Sequence, residues 1–242
     1  MISYIVNGKR YSVRKIILPR DQTCGSRTSF YTSDLYFIKE TPKRVYFCGS
    51  TLKTIEFYHK YYIPGVYSVP KLIDYQVQNL KVKLVFEKLN AESLGEIIKA
   101  HYLDEEEGRE MFIRVLETLI PFEKNNVEHG DLRLKNILVN DEKTYIIDFD
   151  FLGRKQNIVN FIASTIYDFE NSHKTGKFTD RIADLDFSTD LLSPDLETYH
   201  PCCREVAAAI LNNEITSAQD ALDLMNKSDK SNSLDYPKPE EY

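Results

Sequence analysis

The chain has 242 residues, 42% of them hydrophobic and 28% charged, an ordinary globular balance that suits one domain or two small lobes. Its 31 basic and 37 acidic residues give a formal net charge of −6, which argues against a nucleic-acid binder held by general electrostatics. No apolar run approaches the roughly 20 residues that span a bilayer, and Met1 to Arg14 alternates polar and apolar residues without a continuous signal-peptide core.

The four cysteines are Cys24, Cys48, Cys202 and Cys203, and none forms a C-x-x-C pair. That pattern predicts free thiols in a reducing cytoplasm, not a disulfide framework or a zinc site. Tyr4-Ile5-Val6 and Ile16-Ile17-Leu18 read as strands, with turns at Asn7-Gly8 and Pro19. The stretch Thr23 to Phe30 is a small Ser/Thr-rich turn around Gly25 and Ser26. Such a turn presents backbone N–H groups to an anion, and it equally makes a plain hairpin. Leu35-Tyr36-Phe37-Ile38-Lys39 is a strand pattern ending in a lysine. Leu52, Ile55, Tyr58 and Tyr62 then recur at helical spacing, with Ser50 as N-cap and Glu56 within the helix. Pro64-Gly65 breaks it, and Val69 to Tyr75 and Lys81 to Phe86 read as strands. Ser93-Leu94-Gly95-Glu96 matches the capping box S-x-x-E and opens a short helix. Asp104 to Glu107 caps a longer helix, with Phe112, Val115, Leu116, Leu119 and Phe122 on its buried face.

That helix leads into His129-Gly130-Asp131-Leu132-Arg133-Leu134-Lys135-Asn136. The apolar strand Ile137-Leu138-Val139, a polar turn and the strand Tyr145-Ile146-Ile147 follow, ending on Asp148-Phe149-Asp150. Two adjacent strands thereby deliver Asp131, Asn136 and Asp148 to one place. Phosphorylating a hydroxyl with ATP needs a carboxylate to orient the acceptor and take its proton. It also needs oxygen ligands for the magnesium ions that neutralise the phosphates.

This stretch resembles the catalytic core of the protein-kinase-like superfamily, written H-R-D-L-x-x-x-N and D-F-G. The resemblance implies an α+β, bilobal protein-kinase-like fold, with a small β-rich N-lobe over 1–86 and a hinge at 87–89. A compact, mainly helical C-lobe over 90–227 and a polar, mobile tail over 228–242 complete it. It implies ATP and Mg2+ as cofactors. Asp131 would be the base and Arg133 would face the γ-phosphate, where protein kinases often carry a lysine. Asn136 and Asp148 would hold magnesium. Lys39 would grip the α- and β-phosphates, held by Glu56. Gly25 and Ser26 lie where a phosphate-covering loop belongs, with one glycine in place of three. Backbone groups of Glu87, Lys88 and Leu89 would meet the adenine edge.

The sequence also departs from the family's pattern. Gly130 replaces the arginine that many protein kinases use to hold a phosphorylated activation loop. Asp150 replaces the glycine of D-F-G, which predicts a less mobile motif, with its carboxylate either near a second metal or in a plain loop. The A-P-E anchor is missing, Ser193-Pro194-Asp195 being its nearest echo, and I-D-F-D endings resemble those of small-molecule and sugar kinases. The predicted activity is transfer of a γ-phosphate to a hydroxyl acceptor such as a protein Ser/Thr. A small-molecule or sugar kinase is the alternative, and a nucleotide- or partner-binding pseudokinase a third. Thr216-x-x-Gln219 is predicted to cap a last helix, with Ala218, Leu222 and Met225 on one face.

Overall fold

The computed structural model describes residues 1–17, 28–42, 51–62, 68–78, 81–100, 103–175, 192, 195, 199 and 203–232. The chain forms two compact units. One holds Met1–Leu94 and Val127–Lys155, the other Gly95–Asn126 and Gln156–Tyr242. The class is α+β, with a curled antiparallel sheet in the first unit and helices in the second.

In the first unit β1 (Ile2–Val6) and β2 (Lys9–Ile16) form a hairpin. Its turn is Asn7-Gly8, with φ of 45° and 77°, the left-handed pair that Asn-Gly favours because glycine lacks a Cβ. Next come β3 (Ser29–Thr32), β4 (Tyr36–Pro42), the helix α1 (Thr51–Tyr61), β5 (Leu72–Val77) and β6 (Lys81–Glu87). The six strands lie in the order β1-β2-β3-β4-β6-β5, every neighbour antiparallel. The sheet curls until its two ends meet. Asn7 Nδ2 donates to Asp74 Oδ1 at 3.0 Å, and the Tyr11 hydroxyl donates to Asp74 Oδ2 at 3.0 Å. Alternation in β1 and β2 turns Tyr4, Val6, Tyr11 and Val13 inward onto Ile38 of β4 and Val85 of β6. The predicted strand at Ile16 to Leu18 stops at Ile16; Ile17 is exposed and Leu18 lies outside the described residues.

A second, three-stranded sheet belongs to the same unit: β7 (Glu92–Ser93), β8 (Ile137–Val139) and β9 (Thr144–Ile146). The β8–β9 hairpin pairs Ile137 with Ile146, and it carries the H-G-D and D-F-D segments at its two ends.

The second unit is helical: α2 (Leu94–Ala100), which starts at the boundary, α3 (Glu105–Lys124), α4 (Ile158–Thr175), α5 (Arg204–Leu211) and α6 (Ala218–Asn232). The predicted cap of α3 is present in both directions. Glu107 N–H donates to Asp104 Oδ1 at 2.9 Å, and Asp104 N–H donates to Glu107 Oε2 at 3.1 Å. All five predicted core residues of α3 are buried, as are Ala218, Leu222 and Met225 of α6. The cap of α6 is one residue later than predicted. Asp220 N–H donates to Ser217 Oγ at 3.1 Å, while Thr216 donates through its N–H and hydroxyl to Asp220 Oδ2. Helix α6 runs to Asn232, past the predicted start of the tail, and 233–242 lie outside the described residues. Among the described residues no helix is long and apolar enough to cross a membrane.

Candidate active site

Every described side chain of the site lies in the first unit. Strand β4 pairs with β3 and β6, and Ile38, Lys39 and Thr41 are buried there, Lys39 only 6% exposed. A lysine so buried needs counter-charge. It has two carboxylates, Asp148 Oδ1 and Asp150 Oδ2, the latter at 2.7 Å. The predicted partner Glu56 is exposed on α1. The pairing expected for Lys39 is therefore corrected: carboxylates of the D-F-D segment neutralise it. The physical reason is the register of α1. Thr54, Ile55, Phe57 and Tyr58 are its buried residues, and Glu56 stands about half a turn away from their mean direction.

The loop before β8 is tied to the residue before Asp148. The His129 ring is buried, with Nε2 at 2.8 Å from the Ile147 carbonyl oxygen. Asp131 N–H donates to His129 Nδ1 at 3.2 Å. These bonds fix the neutral tautomer with the proton on Nε2. Burial pulls the ring's pKa down to about 4, outweighing its bond to Ile147 and the Asp148 charge. His129 thus orients the loop and stays uncharged near neutral pH.

Asp131 is buried, and its carboxylate is held on one side by Arg133, 2.9 Å from Oδ2. Asn136 Nδ2 donates to the Asp131 carbonyl at 2.8 Å and lies 3.3 Å from Oδ2. Burial raises the Asp131 pKa and the Asp148 charge adds to that, while Arg133 opposes them. The amide of Asn136 is oriented by these bonds, with its nitrogen spent on Asp131.

Asp148 has φ 67° and ψ 59°, a left-handed conformation that a side-chain-bearing residue adopts at a cost of order 1–3 kcal/mol. It is held there by neighbours: Ile147 N–H donates to Asn136 O at 2.9 Å. The next residue, Phe149, is 1% exposed, its ring 4.4 Å from that of His129 and 4.2 Å from that of Phe57. Burial works to raise the Asp148 pKa, but the Lys39 ammonium holds it below the usual carboxylate range. Asp150 goes the other way. Burial pushes it up to about 6, with the neighbouring Asp148 carboxylate adding to the rise, although Lys39 opposes the shift. Asn136 and Asp148 offer hard oxygen donors, the kind magnesium takes from a protein when phosphates and water supply the rest of its shell. Among the described residues no group of three or more His, Cys, Asp or Glu is placed to hold a metal alone.

At the predicted hinge, Glu87 N–H donates to Lys71 O at 3.0 Å and Lys88 N–H to Leu35 O at 3.0 Å. Of the backbone groups of Glu87, Lys88 and Leu89 expected at the adenine edge, the N–H groups of Glu87 and Lys88 are therefore already bonded within the protein. Gly25 and Ser26 lie outside the described residues. Sequence reasoning missed the Lys39–Asp150 pair. The signal was there, an acid in place of a glycine two residues after the metal-type aspartate.

The family model described as protein kinase domain matches residues 32–168. Sperm motility kinase 3A of Mus musculus is 33% identical over 120 residues, covering 49% of this chain and 23% of that protein. A probable serine/threonine-protein kinase KIN1 homolog of Enterocytozoon bieneusi is 31% identical over 117 residues, 46% of this chain and 18% of that protein. A probable bifunctional tRNA threonylcarbamoyladenosine biosynthesis protein of Methanosphaera stadtmanae is 28% identical over 109 residues, 45% of this chain and 20% of that protein. The chain thus matches about a fifth of the length of these curated relatives.

Proposed function

Because the chain belongs to the protein kinase domain family, we propose that it is an ATP- and magnesium-dependent phosphotransferase acting on protein serine or threonine hydroxyls. The observation that carries this reading is one compact unit holding two bonded pairs, Lys39 with Asp148 and Asp131 with Asn136. Lys39 meets the α- and β-phosphates. Asp131 orients the acceptor hydroxyl and takes its proton as the new O–P bond forms and the bond to the β-phosphate oxygen breaks. Arg133 lies beside that carboxylate at 2.9 Å, where it opposes the upward pull of burial on the Asp131 pKa and presents positive charge to the transferring group. Asn136 and Asp148 hold magnesium, which supplies charge neutralisation on the phosphates. Leu89, with its backbone N–H, is the hinge donor to the adenine. Catalysis by this set is positioning and electrostatics. The D-F-D ending, resembling small-molecule kinases, favours a second reading with a sugar or metabolite acceptor. The cysteine pattern, with no C-x-x-C pair, suits a reducing cytoplasm in either case.

The test is transfer from γ-labelled ATP with magnesium, offered protein, sugar and metabolite acceptors. Label is expected in protein. Asp131→Asn, which keeps the shape and removes the charge, is expected to lower kcat by about a hundredfold or more with nucleotide affinity retained. Label in small molecules alone selects the second reading, and wild-type rates in Asp131→Asn remove the assigned base.

A further inference from the structure

Two departures from the family's pattern meet at one place. The second motif ends in Asp150 where the family has glycine, and Gly130 precedes Asp131 where the family often has arginine. Asp150 Oδ2 lies 2.7 Å from Lys39 Nζ, with the two side chains 8% and 7% exposed. A pair so far from water stabilises only if its geometry is fixed.

It is fixed from both sides. Phe149, the residue before, is gripped between the His129 ring and Phe57, with Tyr58 edge-on at 5.6 Å. After it, Gly153 N–H donates to Glu128 O at 2.8 Å and Arg154 N–H to Phe151 O at 3.0 Å. The turn therefore closes down on the loop that carries Asp131. Gly130 is what admits it. A Cβ on Gly130 would stand 2.2 Å from the Phe151 carbonyl oxygen and 2.7 Å from Arg154 Cβ. The glycine has in effect moved from the second motif to the first, and its old place is open to a carboxylate. Meanwhile Glu56, the helix carboxylate expected on Lys39, faces outward.

The geometry points to Asp150 as the positioning residue for Lys39, replacing a glutamate on α1 and held in place by the turn that Gly130 admits. This rests on the phosphotransferase reading, since Lys39 matters as the grip on nucleotide phosphates. Lys39 thereby keeps a counter-charge when Asp148 serves the metal.

The test compares Asp150→Asn, Asp150→Gly and Glu56→Gln with wild type in two measurements. The first is acylation of Lys39 by an amine-reactive reagent in the nucleotide- and metal-free protein at one fixed pH, read by peptide mass spectrometry. Losing the carboxylate that pins the buried amine at this distance releases it to the reagent, so both Asp150 variants are expected to label about tenfold faster. The second is steady-state transfer, where both are expected to raise KM for ATP about tenfold with a smaller effect on kcat. Glu56→Gln is expected to change each less than either Asp150 variant. Unchanged labelling in both Asp150 variants overturns the inference. So does faster labelling with unchanged KM, or a larger effect from Glu56→Gln. Should wild type transfer no phosphate at all, the phosphotransferase reading falls, and the labelling comparison alone still decides whether Asp150 holds Lys39.

Discussion

Gly130 has φ +78°, and a methyl group on it would overlap the Phe151 carbonyl. Gly130→Ala should therefore cost about 1–3 kcal/mol, from backbone strain plus the displaced turn. Denaturant unfolding reads this as a lower midpoint with an unchanged slope, and an unshifted midpoint would mean the turn yields freely. His129 gives a pH-dependent counterpart. Its folded pKa is about 4 against an ordinary 6.5, so below pH about 6.5 the unfolded chain takes up a proton that the folded one refuses. The stability it contributes is complete above that pH and is lost as pH falls towards 4, on the order of 3 kcal/mol in all. Asp150, with its folded pKa raised to about 6, contributes the opposite slope below that value. A comparison of wild type with His129→Gln cancels Asp150 and isolates the histidine. The difference in unfolding free energy between the two should narrow steadily from pH 7 to pH 4.5. A constant difference would show that the ring is protonated as easily folded as unfolded.

At the scale of elements, local chemistry decided what the sequence could reveal. The Asn7-Gly8 turn and the Asp104–Glu107 box are short-range devices whose partners lie within a few residues, and both were readable as such. Asp104→Ala removes the bond to Glu107 N–H and should cost about 1 kcal/mol, because a buried helix keeps its packing but loses a satisfied donor. Thermal melting should drop by a few degrees, and Asp104→Ser should recover most of it. Helix α1 shows the limit. Its spacing announced a helix, and Ile55 and Tyr58 are buried as that spacing required. Yet the outward direction of Glu56 depends on Phe57 also being buried, against Phe149 from the far end of the unit. No local pattern carries that contact. The same holds for Lys39. The strand that carries it was legible, though it runs on to Pro42, but the carboxylates that pair with it sit 109 and 111 positions later, and only the fold selects them over a nearer glutamate.

For the whole molecule, the closed turn between Phe149 and Arg154 bears on how activity is set. In a protein kinase switched by its activation loop, the added phosphate is held by basic groups that include the residue before the base. Here that residue is Gly130, with no side chain to offer. Its place is filled by the Phe151 carbonyl and Arg154 Cβ without any phosphate. Lys39 with Asp148, and Asp131 with Asn136 and Arg133, are likewise already bonded in the unmodified chain. A phosphate has little left to organise. The protein made in bacteria should then be as active as it becomes, and phosphatase treatment should leave its rate of transfer essentially unchanged. Loss of most of the activity on dephosphorylation, restored by incubation with ATP, would show that another basic group serves in place of the arginine. Arg154 and Lys155 are the first to substitute in that case, since they follow the turn directly and Arg154 already stands against Gly130.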